Sequence, residues 1–351
     1  MLERYVDLPK IDQAELLQSL APVIGRRAEI LEKDIWLCLV LDILFKLPCR
    51  KHMAFKGGTS LSKVYKVISR FSEDIDVTVD YSSLVEGAST LISTMNNTQR
   101  KKLSELLKER LVEHIHQELV PELKSALAEM LPNKEITLEV SEDAEKLWIF
   151  YPSAVENIDT YLRPSILIEF GGRNSTLPQK LIEITPDVAG YVAEIEWPKA
   201  QVSVLSPMRT FWEKVTLIHV ECHRSKIRIG ADRLSRHWYD LACLADDDIG
   251  RQAVKDIALL KDVIHIKETF FRSGNSNYDR CLMGEIRLIP DSDLLEALNQ
   301  DYQAMRDAQM FYDVPMLFEN IIERLRLLEK EINQLVVDVC GKGIKNNEFK
   351  A

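Results

Sequence analysis

Two hydrophobic periods share the first part of the chain, and only one continues beyond about residue 205. From Ala28 to Phe45 apolar residues at Ile30, Leu31, Ile35, Leu39 and Ile43 fall on one face of a helix. Residues 1–22 carry a weaker helical pattern. The period then drops to two. Met53–Lys56 reads as a short strand, Gly57-Gly58 as a turn, and Thr59 or Ser60 as the cap of a short helix to about Ile68. Asp74–Val79 alternates strictly, which puts Ile75, Val77 and Val79 on one face of a strand and Asp74, Asp76 and Thr78 on the other. A long helix over 98–130, divided at Pro121, precedes three more strands at 135–141, 147–151 and 165–170. After Ser206-Pro207, a cap and first-turn pair, everything is helical: 207–222, 234–245, 250–266, 291–311 and 315–340. The pattern predicts an α+β fold. A mixed-sheet domain with leading helices occupies 1–204, an all-helical domain occupies 205–340, and a polar, frayed tail occupies 341–351.

Composition narrows the class. The chain has 351 residues, 46% hydrophobic and 28% charged, with a formal net charge of −10. That balance fits a globular protein and excludes a uniformly basic nucleic-acid coat. No apolar run reaches membrane-spanning length and no leader pattern opens the sequence, so a cytoplasmic protein without membrane contact is expected. Six cysteines without a CxxC pair read as reduced, mostly buried thiols. Between Lys199 and Tyr239, eight basic residues face three acidic ones, a local positive excess within an acidic chain. It is either a solvated helical surface or a polyanion-binding face.

The candidate chemistry concentrates in Phe55–Val79. A glycine turn opening a helix, followed by two carboxylates of one strand face, suits a nucleoside triphosphate and a divalent cation. Asp74 and Asp76 repel one another unless they are solvated or neutralised by metal. Glu169 interrupts an apolar strand that leads into the other glycine pair, Gly171-Gly172. It is a third carboxylate for the metal, a partner for Arg173, or a water-facing edge residue. Lys214 borders the apolar stripe Met208, Phe211, Val215, Ile218, Cys222, where it either snorkels to water or enters a cleft to meet phosphate. Asp240 follows Arg236 by four positions, the spacing of an intrahelical ion pair. Glu32-Lys33-Asp34 reads by pattern as an exposed helical edge. His219, Cys222 and His223 have metal-like spacing, but Cys222 belongs to the core stripe. No Walker A sequence, nucleophile elbow or dinucleotide fingerprint is present.

Together these pieces resemble a known family. Lys56-Gly-Gly-Thr-Ser-Leu-Ser62 with Arg70-Phe-Ser-Glu-Asp-Ile-Asp76 is similar to the AbiEii/AbiGii-type abortive-infection toxins, nucleotidyltransferase-fold effectors of type IV toxin–antitoxin systems. Glu32-Lys-Asp34 with Trp36, Phe211-Trp-Glu-Lys214, Arg236-His-Trp-Tyr-Asp240, Asp301-Tyr-Gln-Ala-Met305 and Met310-Phe-Tyr extend the likeness over nearly the whole chain. Fifteen residues separate Gly58 from Asp74, slightly more than in most polymerase-β-like enzymes. The resemblance implies Asp74 and Asp76 as Mg²⁺ or Mn²⁺ ligands, and Gly57, Gly58, Thr59 and Ser60 around the triphosphate. It implies Lys214 as a nucleotide contact and Asp240 as a catalytic or site-organising acid; Glu169 joins the metal set by its strand position. It further implies transfer of NMP from an NTP to an acceptor hydroxyl, with a tRNA 3′ end as the leading acceptor, and an antitoxin encoded nearby. Nucleotidylation of a protein or a small molecule, and a non-catalytic nucleotide-binding module, are the alternative readings.

Overall fold

The computed structural model describes residues 2–155, 163–224 and 233–345, with side chains as far as Val339. Lys226, Arg228 and Asp232 of the basic stretch, the tail from residue 346 and the Cys340 side chain lie outside the described residues. In chain order the elements are β1 (Glu3–Arg4), α1 (Lys10–Ile24), α2 (Ala28–Lys46), β2 (Met53–Lys56), α3 (Gly57–Lys63) and β3 (Ile75–Asp80). Next come α4 (Asn97–His114) and α5 (Val120–Met130), then β4 (Thr137–Val140), β5 (Lys146–Phe150), β6 (Ser165–Asn174), β7 (Gln179–Ile184), β8 (Ile195–Glu196) and β9 (Ala200–Leu205). The remaining elements are helices: α6 (Pro207–Cys222), α7 (Arg236–Asp246), α8 (Asp248–Lys255), α9 (Ile257–Phe270), α10 (Ser292–Asp307) and α11 (Phe318–Lys345). The chain divides into two compact units. One comprises Met1–Ser60, Ser72–Met95 and Lys102–Leu205; the other comprises Leu61–Phe71, Asn96–Lys101 and Ser206–Ala351.

The first unit is built on a mixed sheet of order β4-β5-β6-β3-β2-β9-β7. β3 runs antiparallel to β2 and parallel to β6, and β2 runs parallel to β9. Ile75, Val77 and Val79 are at most 1% exposed, as the alternation requires. β6 runs straight through Gly171-Gly172, which is therefore strand and not a turn. A Cβ at Gly172 would lie 2.6 Å from Leu84 Cδ1, so glycine there permits close packing. β7 and β9 are additions to the predicted strands. β7 hides from pattern reading because it is an edge strand with Leu181 on its exposed side. β9 does alternate, with Ala200, Val202 and Val204 fully buried. Pro121 does not divide the long helix. The chain widens into one π-turn, Ile115–Leu119, which joins α4 to α5 and relieves the clash of the proline ring with the preceding turn.

α2 lies against β6 and β9. It is buried on every side, from Leu31 through Phe45 apart from the half-buried Asp34, so its apolar stripe understates how deep it runs. The exposed edge expected at Glu32-Lys33-Asp34 is wrong for the same reason. Glu32 and Lys33 are 2% and 6% exposed, and between them the three side chains tie down four segments. Glu32 accepts from Ser153 Oγ at 2.5 Å and Ala154 N at 2.7 Å. Lys33 pairs with Glu73 and donates to the Arg163 carbonyl at 3.1 Å. Asp34 accepts from Asp187 N at 2.7 Å.

The second unit packs Phe211, Trp212 and Ile218 of α6 with Trp238 and Leu241 of α7, Leu260 and Ile264 of α9, and Ile321 and Leu325 of α11. Both buried indoles are satisfied: Trp212 donates to the Ala253 carbonyl at 3.1 Å and Trp238 to the Leu288 carbonyl at 3.0 Å. The single helix expected over 250–266 is two, because Asp256 caps a new one by accepting from Leu259 N at 2.9 Å. His219 is also structural. Its Nδ1 accepts from Arg287 N at 3.0 Å and its Nε2 donates to the Asn277 carbonyl at 3.1 Å, which uses both nitrogens and fixes the neutral tautomer.

Burial holds His219 down to about 4, against about 6.5 when unfolded. The unfolded chain therefore binds the proton first, and stability falls as pH drops from about 6.5 to 4, by about 3 kcal/mol for this group. Urea titrations across that window should show His219→Gln losing one proton's worth of the wild-type slope. An unchanged slope would remove His219 as the source.

Candidate active site

β2 delivers the chain to Gly57 at φ +80°, a left-handed conformation that favours glycine. A second constraint acts at the same residue. A Cβ there would lie 1.8 Å from Asp76 Oδ2 and 2.6 Å from its Cγ. The carboxylate of Asp76 thus rests against the bare backbone of the turn. Sheet register builds the rest of the wall. Lys56 is the cross-strand partner of Asp76, Asp76 of Glu169, and Glu169 of Lys146. Partners in register share a face, so a cation, two acids and a cation form one row across β2, β3, β6 and β5. Asp74 and Asp76 are half-buried.

The expected site residues are placed as follows. Ser60 is fully buried and its hydroxyl donates to the Gly57 carbonyl at 2.9 Å. Thr59, 2% exposed, donates to Ser72 Oγ at 2.8 Å. Both hydroxyls thus brace the turn from within. Glu169 lies on an interior strand, which rules out the edge-residue reading, and its pairing is to Lys146 at 3.4 Å. Arg173 lies 3.8 Å from Glu145 instead. Among the described residues no three His, Cys, Asp or Glu side chains form a group able to hold a metal. The Asp74/Asp76 pair nonetheless suits Mg²⁺, which takes one or two hard carboxylates and fills its other places with water and substrate phosphate. Asp80, in phase with the two acids, does something different. It caps a turn, accepting from Ser82 N at 2.9 Å and Thr176 N at 3.0 Å.

Lys214 and Asp240 meet inside the helical unit. Lys214 Nζ lies 2.8 Å from Asp240 Oδ2. Arg70 grips the same carboxylate with two 2.7 Å bonds, Nε to Oδ1 and Nη2 to Oδ2. Asp240 is fully buried, and Arg70 and Lys214 are 4% and 7% exposed. Burial opposes the charge on Asp240, but the charges and hydrogen bonds of Arg70 and Lys214 outweigh it and hold the carboxyl well below its usual range. Burial in turn pulls Lys214 down against the attraction of Asp240. The intrahelical pair of Arg236 with Asp240 is replaced by this triad. Arg70 is the partner of Asp240 that the sequence did not reveal, since a single arginine in a segment without periodicity carries no signal for a partner 170 positions away. Asp301 organises the same region, accepting from Ser235 N and Arg233 N at 2.7 and 2.8 Å just ahead of α7.

The basic stretch also shrinks on inspection. Arg209 is 1% exposed and pairs with Asp262 at 2.6 Å, Lys214 is committed to Asp240, and Arg224 pairs with Glu221 at 3.0 Å. Three of its cations are therefore neutralised locally.

Comparison with known proteins decides the class. The family model for the nucleotidyl transferase AbiEii toxin of type IV toxin–antitoxin systems matches residues 40–324. The chain belongs to the AbiEii family. It is a nucleotidyltransferase toxin, with an NTP as the substrate and an antitoxin as the partner that membership implies. Among solved structures it is similar to MenT4, a nucleotidyltransferase toxin from Mycobacterium tuberculosis H37Rv, at 15% identity and a TM-score of 0.41, over 94% of this chain and 98% of that one. No curated protein matches. Among the described residues of this AbiEii protein no helix is long and apolar enough to cross a membrane.

Two substitutions separate the roles of these groups. Gly57→Ala strains the turn and drives a methyl into Asp76, so nucleotide transfer should vanish while stability falls by about 1–3 kcal/mol in urea. Retained activity would contradict the close approach. Asp240→Ala strands two buried cations and should cost about 3–5 kcal/mol. A loss below 1 kcal/mol by denaturant titration would show the triad to be solvated.

Proposed function

We propose that this AbiEii enzyme transfers NMP from an NTP to a tRNA 3′ end, in a Mg²⁺-dependent reaction in the cytoplasm, as the toxin of a system that defends against phage by abortive infection. The acceptor hydroxyl attacks the α-phosphorus, the bond to the bridging oxygen of the β-phosphate breaks, and pyrophosphate leaves. The observation that carries the reading is the seating of Asp76 against Gly57. It sets an acid of the metal pair directly beside two glycines that carry no side chain of their own, so triphosphate and carboxylates can share one small space.

Asp74 and Asp76 would hold the cation, which when bound neutralises phosphate charge and polarises the reacting phosphorus. The Gly57-Gly58 backbone receives the triphosphate, and Thr59 and Ser60 keep that backbone in place through Ser72 and the Gly57 carbonyl. Asp240 serves as an organising acid. A carboxylate held so far below its usual range is a poor proton acceptor near neutrality, so it is not assigned proton transfer. A nucleotide contact by Lys214 requires the lysine to exchange Asp240 for phosphate. The support for tRNA as acceptor is the family resemblance, since part of the local basic excess is spent on internal pairs.

Purified protein with Mg²⁺ and each labelled NTP, offered total tRNA or cell protein, tests the proposal. Label should enter RNA, be removed by RNase, and be absent with Asp76→Ala. Label in protein that survives RNase would transfer the activity to a protein acceptor. Label in neither fraction, with no difference from Asp76→Ala, would end the transferase reading.

A further inference from the structure

The segment that carries the two acids is held from both sides before the strand begins. Ser72, in phase with Asp74 and Asp76, receives the Thr59 hydroxyl at 2.8 Å. Glu73, one position out of phase, is paired with Lys33 of α2. The lysine and glutamate side chains are 7% and 16% exposed, so this is a largely desolvated ion pair and not a surface contact. Lys33 uses a second proton on the carbonyl of Arg163 at 3.1 Å, two residues before β6 opens at Ser165. β3 and β6 are parallel neighbours, and their register places Asp76 beside Glu169. One ammonium group therefore links the starting ends of the two strands that carry the site's carboxylates.

We propose that Lys33 is a positioning residue for metal binding: by bridging Glu73 and the Arg163 carbonyl it fixes the lead-in to β3 against β6, and with it the placing of Asp74 and Asp76. The inference rests on the nucleotidyl-transfer reading above. Its physical basis is twofold. A buried lysine is tolerated only where its charge is matched and its protons are used, which makes this junction rigid. A fixed cation close to the acid-bearing segment also offsets part of the repulsion that Asp74 and Asp76 feel before any cation arrives. Asp34 and Glu32, on the same turn of α2, tie Asp187 and the Ser153-Ala154 segment. Glu32 supplies an internal comparison, since its bonds to Ser153 and Ala154 do not touch the acid-bearing segment.

The test is Mn²⁺ affinity by electron paramagnetic resonance without nucleotide, beside kcat for transfer and the urea midpoint. Lys33→Met should weaken Mn²⁺ binding about tenfold, the low end of what losing an outer-shell support costs, since Lys33 acts through Glu73 and not on a ligand directly, and should lower kcat with it. Glu73→Gln, which keeps the side chain's size, should do the same and serves if Lys33→Met does not fold. Lys33→Arg should recover most of the affinity. Glu32→Gln should lower the urea midpoint and leave Mn²⁺ affinity unchanged. Wild-type affinity in Lys33→Met and Glu73→Gln, with only the urea midpoint moved, overturns the proposal and leaves nucleotidyl transfer standing. Wild-type protein that neither binds Mn²⁺ nor transfers a nucleotide overturns the underlying reading as well.

Discussion

The contact between Asp76 and the backbone of Gly57 constrains everything around it. It requires a residue with no Cβ at a positive φ, and glycine satisfies both demands at once. It also requires β3 to pair with β2 in the register that sets Asp76 opposite Lys56, because a slip of one residue would turn the acid into the core and Ile75 or Val77 into the site. The alternation of buried residues along β3 enforces that register. Packing on one face of the sheet thus fixes chemistry on the other.

Both units use buried charge as a fastener. In the first, three consecutive charged residues of α2 reach four separate segments, at residues 73, 153–154, 163 and 187, of which those at 73 and 163 lead into strands of the sheet. In the second, Asp240 gathers Arg70 and Lys214 from segments far apart in sequence. Apolar contacts tolerate sliding and repacking, whereas a desolvated ion pair with directed hydrogen bonds tolerates neither. Where a few tenths of an ångström matter, as beside the proposed metal pair Asp74 and Asp76, such fasteners define position more sharply than apolar packing does.

What the sequence disclosed follows from the range of the interactions involved. β2 and β3 were legible because strand alternation is local, whereas the short helix already includes Gly57 and ends at Lys63, so Thr59 and Ser60 lie within it and do not cap it. Asp74, Asp76 and Glu169 could be placed on strand faces for the same reason. The burial of Glu32 and Lys33 was illegible, since a charged triplet looks solvated until its distant partners at Glu73, Ser153 and Asp187 are known. Arg70 was hidden likewise. Lys214 and Asp240 were singled out without any sign that each was the other's partner. β7 was lost because an edge strand with an outward leucine lacks alternation, whereas β9 carried a clean signal that a reading focused on helices after 205 passed over.

The Lys146–Glu169 and Lys214–Asp240 pairs differ in what exchanging them would cost. Lys146 and Glu169 have side chains 49% and 37% exposed, and their separation is 3.4 Å. A pair so wet is worth at most about 1 kcal/mol, so Glu169 can leave Lys146 for a stronger cation at little expense. Lys214 and Asp240 are nearly or wholly buried at 2.8 Å, with Arg70 completing the shell. Removing Asp240 leaves two uncompensated cations in the interior, a cost of about 3–5 kcal/mol. Withdrawing Lys214 is a smaller change, because Arg70 keeps the Asp240 carboxylate paired through two 2.7 Å bonds. Within its own pair, then, Glu169 is the adaptable partner, whereas Asp240 is fixed by two buried cations at once.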